Sequence, residues 1–432
     1  MGSSDQAPAT ATTESAAAPA RRGRPPKRSA RLGLLLDRSA ELFNQRGISA
    51  TSVADLADTL QISRASLYYY IEDREDLVFQ CYMRACELTD ADLAGAASGA
   101  SGLERTLAFV RLALAPSRPT VAVLSEIDVL SGKRACAVKR ADEANIARLI
   151  GFIEGGVADG SVGPCDAEVV AQAIVGMLAW AQLLPQWSSG QHMEALRTRT
   201  SEAMVSLLAT GFSTHRGRRF ECRIDAEQFQ RTLTNAFDRR ESSSVKIDQA
   251  LAAASRLFNR NGVEATSIEA IAGALGVTKG VLYHYFDDKS ELVTRCYERA
   301  FDFYDQFVDV ARNQGRDGLE RGLINAHLNI QAFVSSLSPL MPQPGFGAVP
   351  EARRGPLLER GRRANRAIAD FVREGANDGS AVPCDAALVT HICAGAFGWL
   401  PKWLPADQKR TRFQIADEIC SVLRNGLQGE LA

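Results

Sequence analysis

The sequence predicts an all-α protein built from two tandem copies of one helical unit, and three observations carry that expectation. Residues 42–85 align without a gap on residues 257–300 at a constant offset of 215, with 19 of 44 positions identical, too many for coincidence. A later block, FIEGGVADGSVGPCDAEVV from Phe152, returns as FVREGANDGSAVPCDAALV from Phe371, so the duplication reaches into the rest of each unit. The apolar period is helical: Leu32, Leu36, Ser39 and Phe43 in one copy, and Ile247, Leu251, Ala254 and Phe258 in the other, share one face at i, i+4, i+7 and i+11. No alternating strand pattern competes. Two copies with so long a period make a domain duplication and not a solenoid.

Taken in order, residues 1–30 are an Ala-, Thr-, Ser- and Pro-rich tail expected to be disordered. The tail ends in a basic arm around Arg22, Arg24 and Lys27 that contains no acidic residue. The first helix of each unit should end at Gly47 and Gly262, glycines suited to a C-terminal cap. Ser52 with Asp55, and Thr266 with Glu269, read as N-caps that open a second helix. A tight turn then leads to SRASLYYYIEDREDL at 63–77 and TKGVLYHYFDDKSEL at 278–292. A short helix braced across a second one is the helix-turn-helix arrangement. The resulting division is a first head at 31–78 and a first body at 79–212. A connector at 213–243, a second head at 244–293 and a second body at 294–432 complete it.

The tyrosine helix carries the chemistry. With Leu67 at the centre of the buried face and 100° per residue, Tyr70 and Ile71 fall near it, while Ala65 and Tyr69 point outward beside Arg64, Ser66 and Tyr68. A core role therefore accounts for one tyrosine and fails for two. Small residues such as Ala65 and Gly280 let a helix approach base edges, Arg64 and Lys279 can donate to guanine, and phenols can hold phosphates. A solvated basic face with incidental aromatics is the plain alternative.

Composition narrows the function. A formal net charge of -1 gives no overall pull toward polyanions, so any nucleic-acid contact must be local. Nine cysteines without a CxxC spacing make neither a disulfide framework nor a zinc site. No apolar run approaches the roughly 18 residues of a membrane span, and the start lacks a signal-peptide core, so a cytoplasmic protein is expected. There is no GxSxG, P-loop, HExxH or Gly-rich dinucleotide signature, so neither an enzyme nor a cofactor or metal is expected.

The pattern F-N-x-x-G, A-T-S, then L-Y-x-Y-[IF]-x-D-[RK]-x-[ED]-L-V, complete in both copies, resembles the DNA-binding domain of TetR-family transcriptional regulators. The resemblance implies DNA contacts at Thr51, Ser52, Arg64, Ala65, Ser66, Tyr68, Tyr69 and Arg74. In the second copy it implies Thr266, Ser267, Lys279, Gly280, Val281, Tyr283, His284 and Lys289. Members of the family are usually two-fold homodimers that join the last two helices of each subunit. Two copies on one chain imply intramolecular pairing instead, as in the tandem regulator of a mycobacterial lipid-uptake operon. The partner is then a double-stranded DNA operator, and unequal heads imply an asymmetric one. The EG and DGS blocks are similar to family members that sense acyl-CoA thioesters, which implies a small hydrophobic effector near Lys139, Arg140 and Trp180, or Arg360, Arg363 and Trp399. A regulator that kept the fold as an interaction module without DNA binding is the competing reading.

Overall fold

In the computed structural model the described residues are 27–183, 193–215, 217, 220–232, 239–342, 346, 348–404 and 409–429. The first unit contains α1 (Lys27–Arg46), α2 (Val53–Thr59), α3 (Arg64–Tyr68), α4 (Arg74–Ala96), α5 (Gly102–Ala113), α6 (Gly132–Ala158), α7 (Ala167–Ala181) and α8 (Met193–Thr210). The second contains α9 (Arg239–Asn261), α10 (Ile268–Leu275), α11 (Lys279–Tyr283), α12 (Lys289–Gln314), α13 (Gly318–Val334), α14 (Glu351–Asp378), α15 (Ala386–Gly398), α16 (Leu400–Trp403) and α17 (Arg412–Asn425). Among the described residues no strand forms, and no helix is long and apolar enough to cross a membrane.

Each head is closed by local chemistry. Gly47 and Gly262 stop the first helices at φ +84° and +89°, a conformation that favours glycine. Ser52 caps α2 through a complete capping box with Asp55. In the second head the cap is Ser267, which accepts from the Ala270 amide, and not Thr266. Leu36, Ser39 and Phe43, with Leu251, Ala254 and Phe258, are buried as the periodicity requires. α4 and α12 run without a break across residues 78 and 293, so head and body share one long helix in each unit.

The repeated DGS block caps helices. Asp159 accepts from the Gly102 amide at 2.9 Å, and Ser161 Oγ accepts from Leu103 at 3.1 Å, which satisfies the first turn of α5. Asp378 and Ser380 do the same for Gly318 and Leu319 at the start of α13. The preceding glycines permit the approach: a Cβ at Gly102 would lie 2.1 Å from Gly156 N, and one at Gly318 would lie 2.0 Å from Gly375 N.

The two bodies share a single hydrophobic core, whereas each head keeps its own. α7 crosses α15 backbone to backbone: a Cβ at Gly176 would meet Gly395 O and Trp399, and one at Gly395 would meet Gly176 O and Trp180. With α8 and α17 these helices form a four-helix layer. The pseudo-two-fold relation extends to the backbone after α8 and α17. Phe212 N donates to Leu423 O at 2.9 Å, and Leu427 N donates to Leu208 O at 2.7 Å. Val382 N donates to Phe212 O, and Gly163 N to Leu427 O, each at 2.8 Å. Part of the connector belongs to the core, with Phe220, Cys222 and Ala226 buried and the Ala226 amide bound to Gln331. It is a packed strap over that stretch.

Candidate nucleic-acid interface and ligand cavity

α3 and α11 present matching outward faces. Leu67 and Leu282 are buried, while Arg64, Ala65, Ser66, Tyr68 and Tyr69 in one head, and Lys279, Gly280, Val281, Tyr283 and His284 in the other, are exposed. Tyr69 reaches 63% exposure and Tyr283 49%, values a core role cannot explain. Ile71 is buried and Tyr70 half-buried, as the helical wheel requires. Each outward ring rests edge-on against the half-buried one after it, Tyr69 on Tyr70 and His284 on Tyr285.

The heads are not prepared alike. Ser66 Oγ lies 2.9 Å from Ser63 Oγ at the start of α3. Lys279 pairs with Glu269 at 3.2 Å, whereas Arg64 makes no ion pair among the described residues. The residue of the first head that aligns with Glu269 is Ala54, which explains the difference.

Four of the expected phosphate contacts already have partners within the heads. Thr51 and Thr266 are each 1% exposed, and their hydroxyls donate to Gly47 O at 2.7 Å and Gly262 O at 2.8 Å. They fasten the turn between the first two helices. Arg74 is half-buried and donates to Thr51 O at 3.0 Å and to Ile48 O, so its guanidinium braces that same turn. Lys289 does this for Glu264 O at 3.2 Å, and burial lowers its pKa with Glu264 partly offsetting. Ser52 and Ser267 stay exposed as the N-caps of α2 and α10. Arg22 and Arg24 lie outside the described residues, and Lys27 begins α1.

One junction that sequence reading missed ties the heads together. Glu126, 8% exposed, accepts from the Ile48 amide at 2.9 Å and the Ser49 amide at 3.0 Å, behind the first head. Its side chain also abuts Gly262 in the second head, where a Cβ would lie 3.1 Å from Glu126 Cγ. Lys402 Nζ donates to Ser125 O and to Arg260 O at 3.1 Å, so it bridges the two units. Glu126 lies outside both repeated blocks, and Lys402 replaces Gln186 of the first copy. That exchange was the only signal available.

A cavity of about 690 Å³ opens in the second body between α12, α13, α14 and α15. Its wall is mostly apolar, including Phe301, Phe333, Met341 and Phe397, with Asn325, Asn329, Thr390 and His391 among the polar members. Trp180 enters this wall from α7 of the first unit. The other expected effector residues do not line it. Lys139 and Arg140 are exposed, Lys139 lying 3.8 Å from Asp128. Arg360 is held by Asp302 at 2.7 Å and Asp305 at 2.8 Å, Arg363 faces solvent, and Trp399 packs at the α7–α15 crossing. The arginines that do reach the cavity are Arg362, Arg366 and Arg373 on α14.

Paired helix-turn-helix heads on all-helical bodies define a class of nucleic-acid-reading scaffold. Within it, "Bacterial regulatory proteins, tetR family" matches residues 35–81 and 250–296, and "Tetracyclin repressor-like, C-terminal domain" matches 103–187 and 341–427. The chain belongs to the TetR family, twice over. It is 38% identical over 52 residues to the transposon Tn10 TetC protein of Escherichia coli, and 49% identical over 43 residues to the regulator AcrR of Shigella flexneri. Those matches span 26% and 20% of the relatives, or 12% and 10% of this chain. Against the transcriptional repressor KstR2 of Mycolicibacterium smegmatis it is 23% identical over 191 residues, 42% of this chain and 89% of the relative. Among solved structures, AibR in complex with isovaleryl coenzyme A and operator DNA matches at 21% identity and a TM-score of 0.35, over 41% of this chain and 98% of that one. KstR2 of Mycobacterium tuberculosis matches at 19% and 0.34, over 41% and 92%.

Proposed function

We propose that the chain is a sequence-specific DNA-binding transcriptional repressor, which reads an asymmetric operator through two unequal heads and releases it on binding a small apolar effector. The observation that carries the reading is the pair of outward faces on α3 and α11, where exposed aromatic, cationic and small side chains surround a single buried leucine. Such a face suits base edges flanked by phosphates. Repression follows the name of the KstR2 relative. The four-helix layer supplies within one chain the contact that a homodimer makes between two, so one chain serves one operator.

The cavity in the second body is the effector site. Arg362, Arg366 and Arg373 on its wall suit the phosphates of an acyl-CoA thioester, with the acyl chain among the aromatics. Release requires the effector to favour the DNA-free conformation, since equal affinity for both states shifts nothing. Footprinting of the full chain on the DNA flanking its own coding region, with and without acyl-CoA thioesters, tests both parts. A protected site without two-fold symmetry, lost on adding thioester, is expected; absence of any protected site favours the interaction-module reading.

A further inference from the structure

The cavity of the second body has a counterpart region in the first, and the two are packed differently. GLER opens both α5 and α13, and the DGS blocks fix the register of α6 on α14, so wall residues can be paired between units. Gly322, Asn325 and Ala369 line the cavity, and a Cβ on Gly322 would meet nothing within 4 Å. Their counterparts are Thr106, Phe109 and Ile150, each larger. Thr106 is 0% exposed and Phe109 2%, and both Phe109 and Ile150 pack into the core that the bodies share.

Some exchanges run the other way, and on α4 other side chains take up the room. Phe301 of the cavity wall is Cys86 in the first unit, where Asn145, the counterpart of Ala364, donates to Cys86 O at 2.9 Å. Tyr304 is Thr89 there, and Arg118, paired with Asp92 at 2.7 Å, lies 3.5 Å from its hydroxyl. The open cavity also borders both heads. α12, which supplies Phe301 and Tyr304, begins in the second head, and Gln45, exposed on α1, borders the cavity from the first.

Resting on the effector reading above, we propose that each chain holds a single effector site, in the second unit, with the first unit as a filled copy, and that this one occupant acts on both heads. Two identical subunits necessarily carry any cavity twice. This chain carries it once, so release should follow single-site binding with a Hill coefficient of about one.

The test uses the full chain and two probes. Octanoyl-CoA is followed by calorimetry and by release of the footprinted operator; 1-aminoanthracene, an uncharged fluorescent molecule, needs only an apolar cavity. We expect one octanoyl-CoA per chain and non-cooperative release. Gly322→Thr and Ala369→Ile import the first unit's side chains, and each should weaken both probes by about five- to tenfold, as overpacking does. Ile150→Ala, in the first unit, should leave both affinities within about twofold, since its site lies outside the cavity wall. Two octanoyl-CoA per chain, cooperative release, filled variants that bind like the parent, an Ile150→Ala that weakens the probes as much, or binding of neither probe overturns the proposal. If only 1-aminoanthracene binds, and the variants behave as stated, the acyl-CoA reading fails and the single site stands. If octanoyl-CoA binds once per chain but leaves the operator in place, effector release fails, and the single site stands without its action on the heads.

Discussion

Gly318 allows no side chain because a Cβ there would lie 2.0 Å from the Gly375 amide nitrogen, and backbone cannot step aside as a side chain can. Gly318→Ala should force α13 away from α14 and cost at least about 2 kcal/mol, in the range for overpacking. Gly273, inside α10, has nothing within 4 Å of its hypothetical Cβ. Gly273→Ala should instead stabilise by about 0.5–1 kcal/mol, because alanine loses less backbone entropy in a helix. Urea unfolding of the two variants beside the parent checks both signs. A second residue-scale prediction concerns Glu269, which holds Lys279 in an exposed ion pair. Reaching a base requires that pair to break, and exposed pairs are weak. Glu269→Ala should therefore raise DNA affinity a few-fold at most, more at low salt than at high, as read by fluorescence anisotropy.

Across α3 and α11 the substitutions run Arg64 to Lys279, Ala65 to Gly280, Ser66 to Val281 and Tyr69 to His284, so the two elements offer different groups at four of their five outward positions and share only the tyrosine at Tyr68 and Tyr283. Arginine can pair with guanine through two donors, where lysine offers a compact point charge. Arg64→Ala should relax base preference in one half of the operator and Lys279→Ala in the other, each by about 1–3 kcal/mol. Competition among all single-base operator variants measures it, and equal loss in both halves would contradict unequal heads. These elements were legible because helical period and caps are local: Leu67 in, Tyr69 out, Ser52 before Asp55. Thr51 and Thr266 were misread because a hydroxyl beside a helix start looks the same whether it caps, meets phosphate or turns back. Only the fold brings Gly47 O and Gly262 O under them. Arg74 escaped for a similar reason, since its carbonyl partners lie 23 and 26 residues upstream. In the connector, Phe220 and Cys222 stand among charged residues, and their burial depends on α13 of the second unit, which no local pattern announces.

At the scale of the molecule, one junction touches both heads. Glu126 holds the turn after α1, its side chain abuts the turn after α9, and Lys402 spans Ser125 O and Arg260 O. Lys402 belongs to α16, which follows directly on the cavity-lining α15, so a shift of α15 reaches both heads through a single side chain. The residue is only half-buried, yet its ammonium is crowded by protein. That burial lowers its pKa from 10.5 to about 8, against the opposing pull of Glu126 and Asp128. The sign of the pH effect follows. Between about 8 and 10.5 the unfolded chain holds a proton on this amine that the folded chain has released, so this group makes folding more favourable as pH rises through that window. The buried thiols act oppositely: burial raises the pKa of Cys81, Cys296 and Cys420, so they stay protonated when the unfolded chain ionises. The comparison must therefore be made against Lys402→Met, which keeps every thiol and much of the stem's packing. Urea unfolding at pH 7.5, 9 and 10 (values chosen to bracket the window) should show the parent gaining stability relative to Lys402→Met as pH rises. The variant should also bind its operator less tightly at pH 7.5, because the heads lose the bridge that fixes their separation, and it should respond less to an effector. A stability difference that stays flat across the three pH values would mean that the Lys402 amine titrates as it does in water, and that it does not join the heads from within.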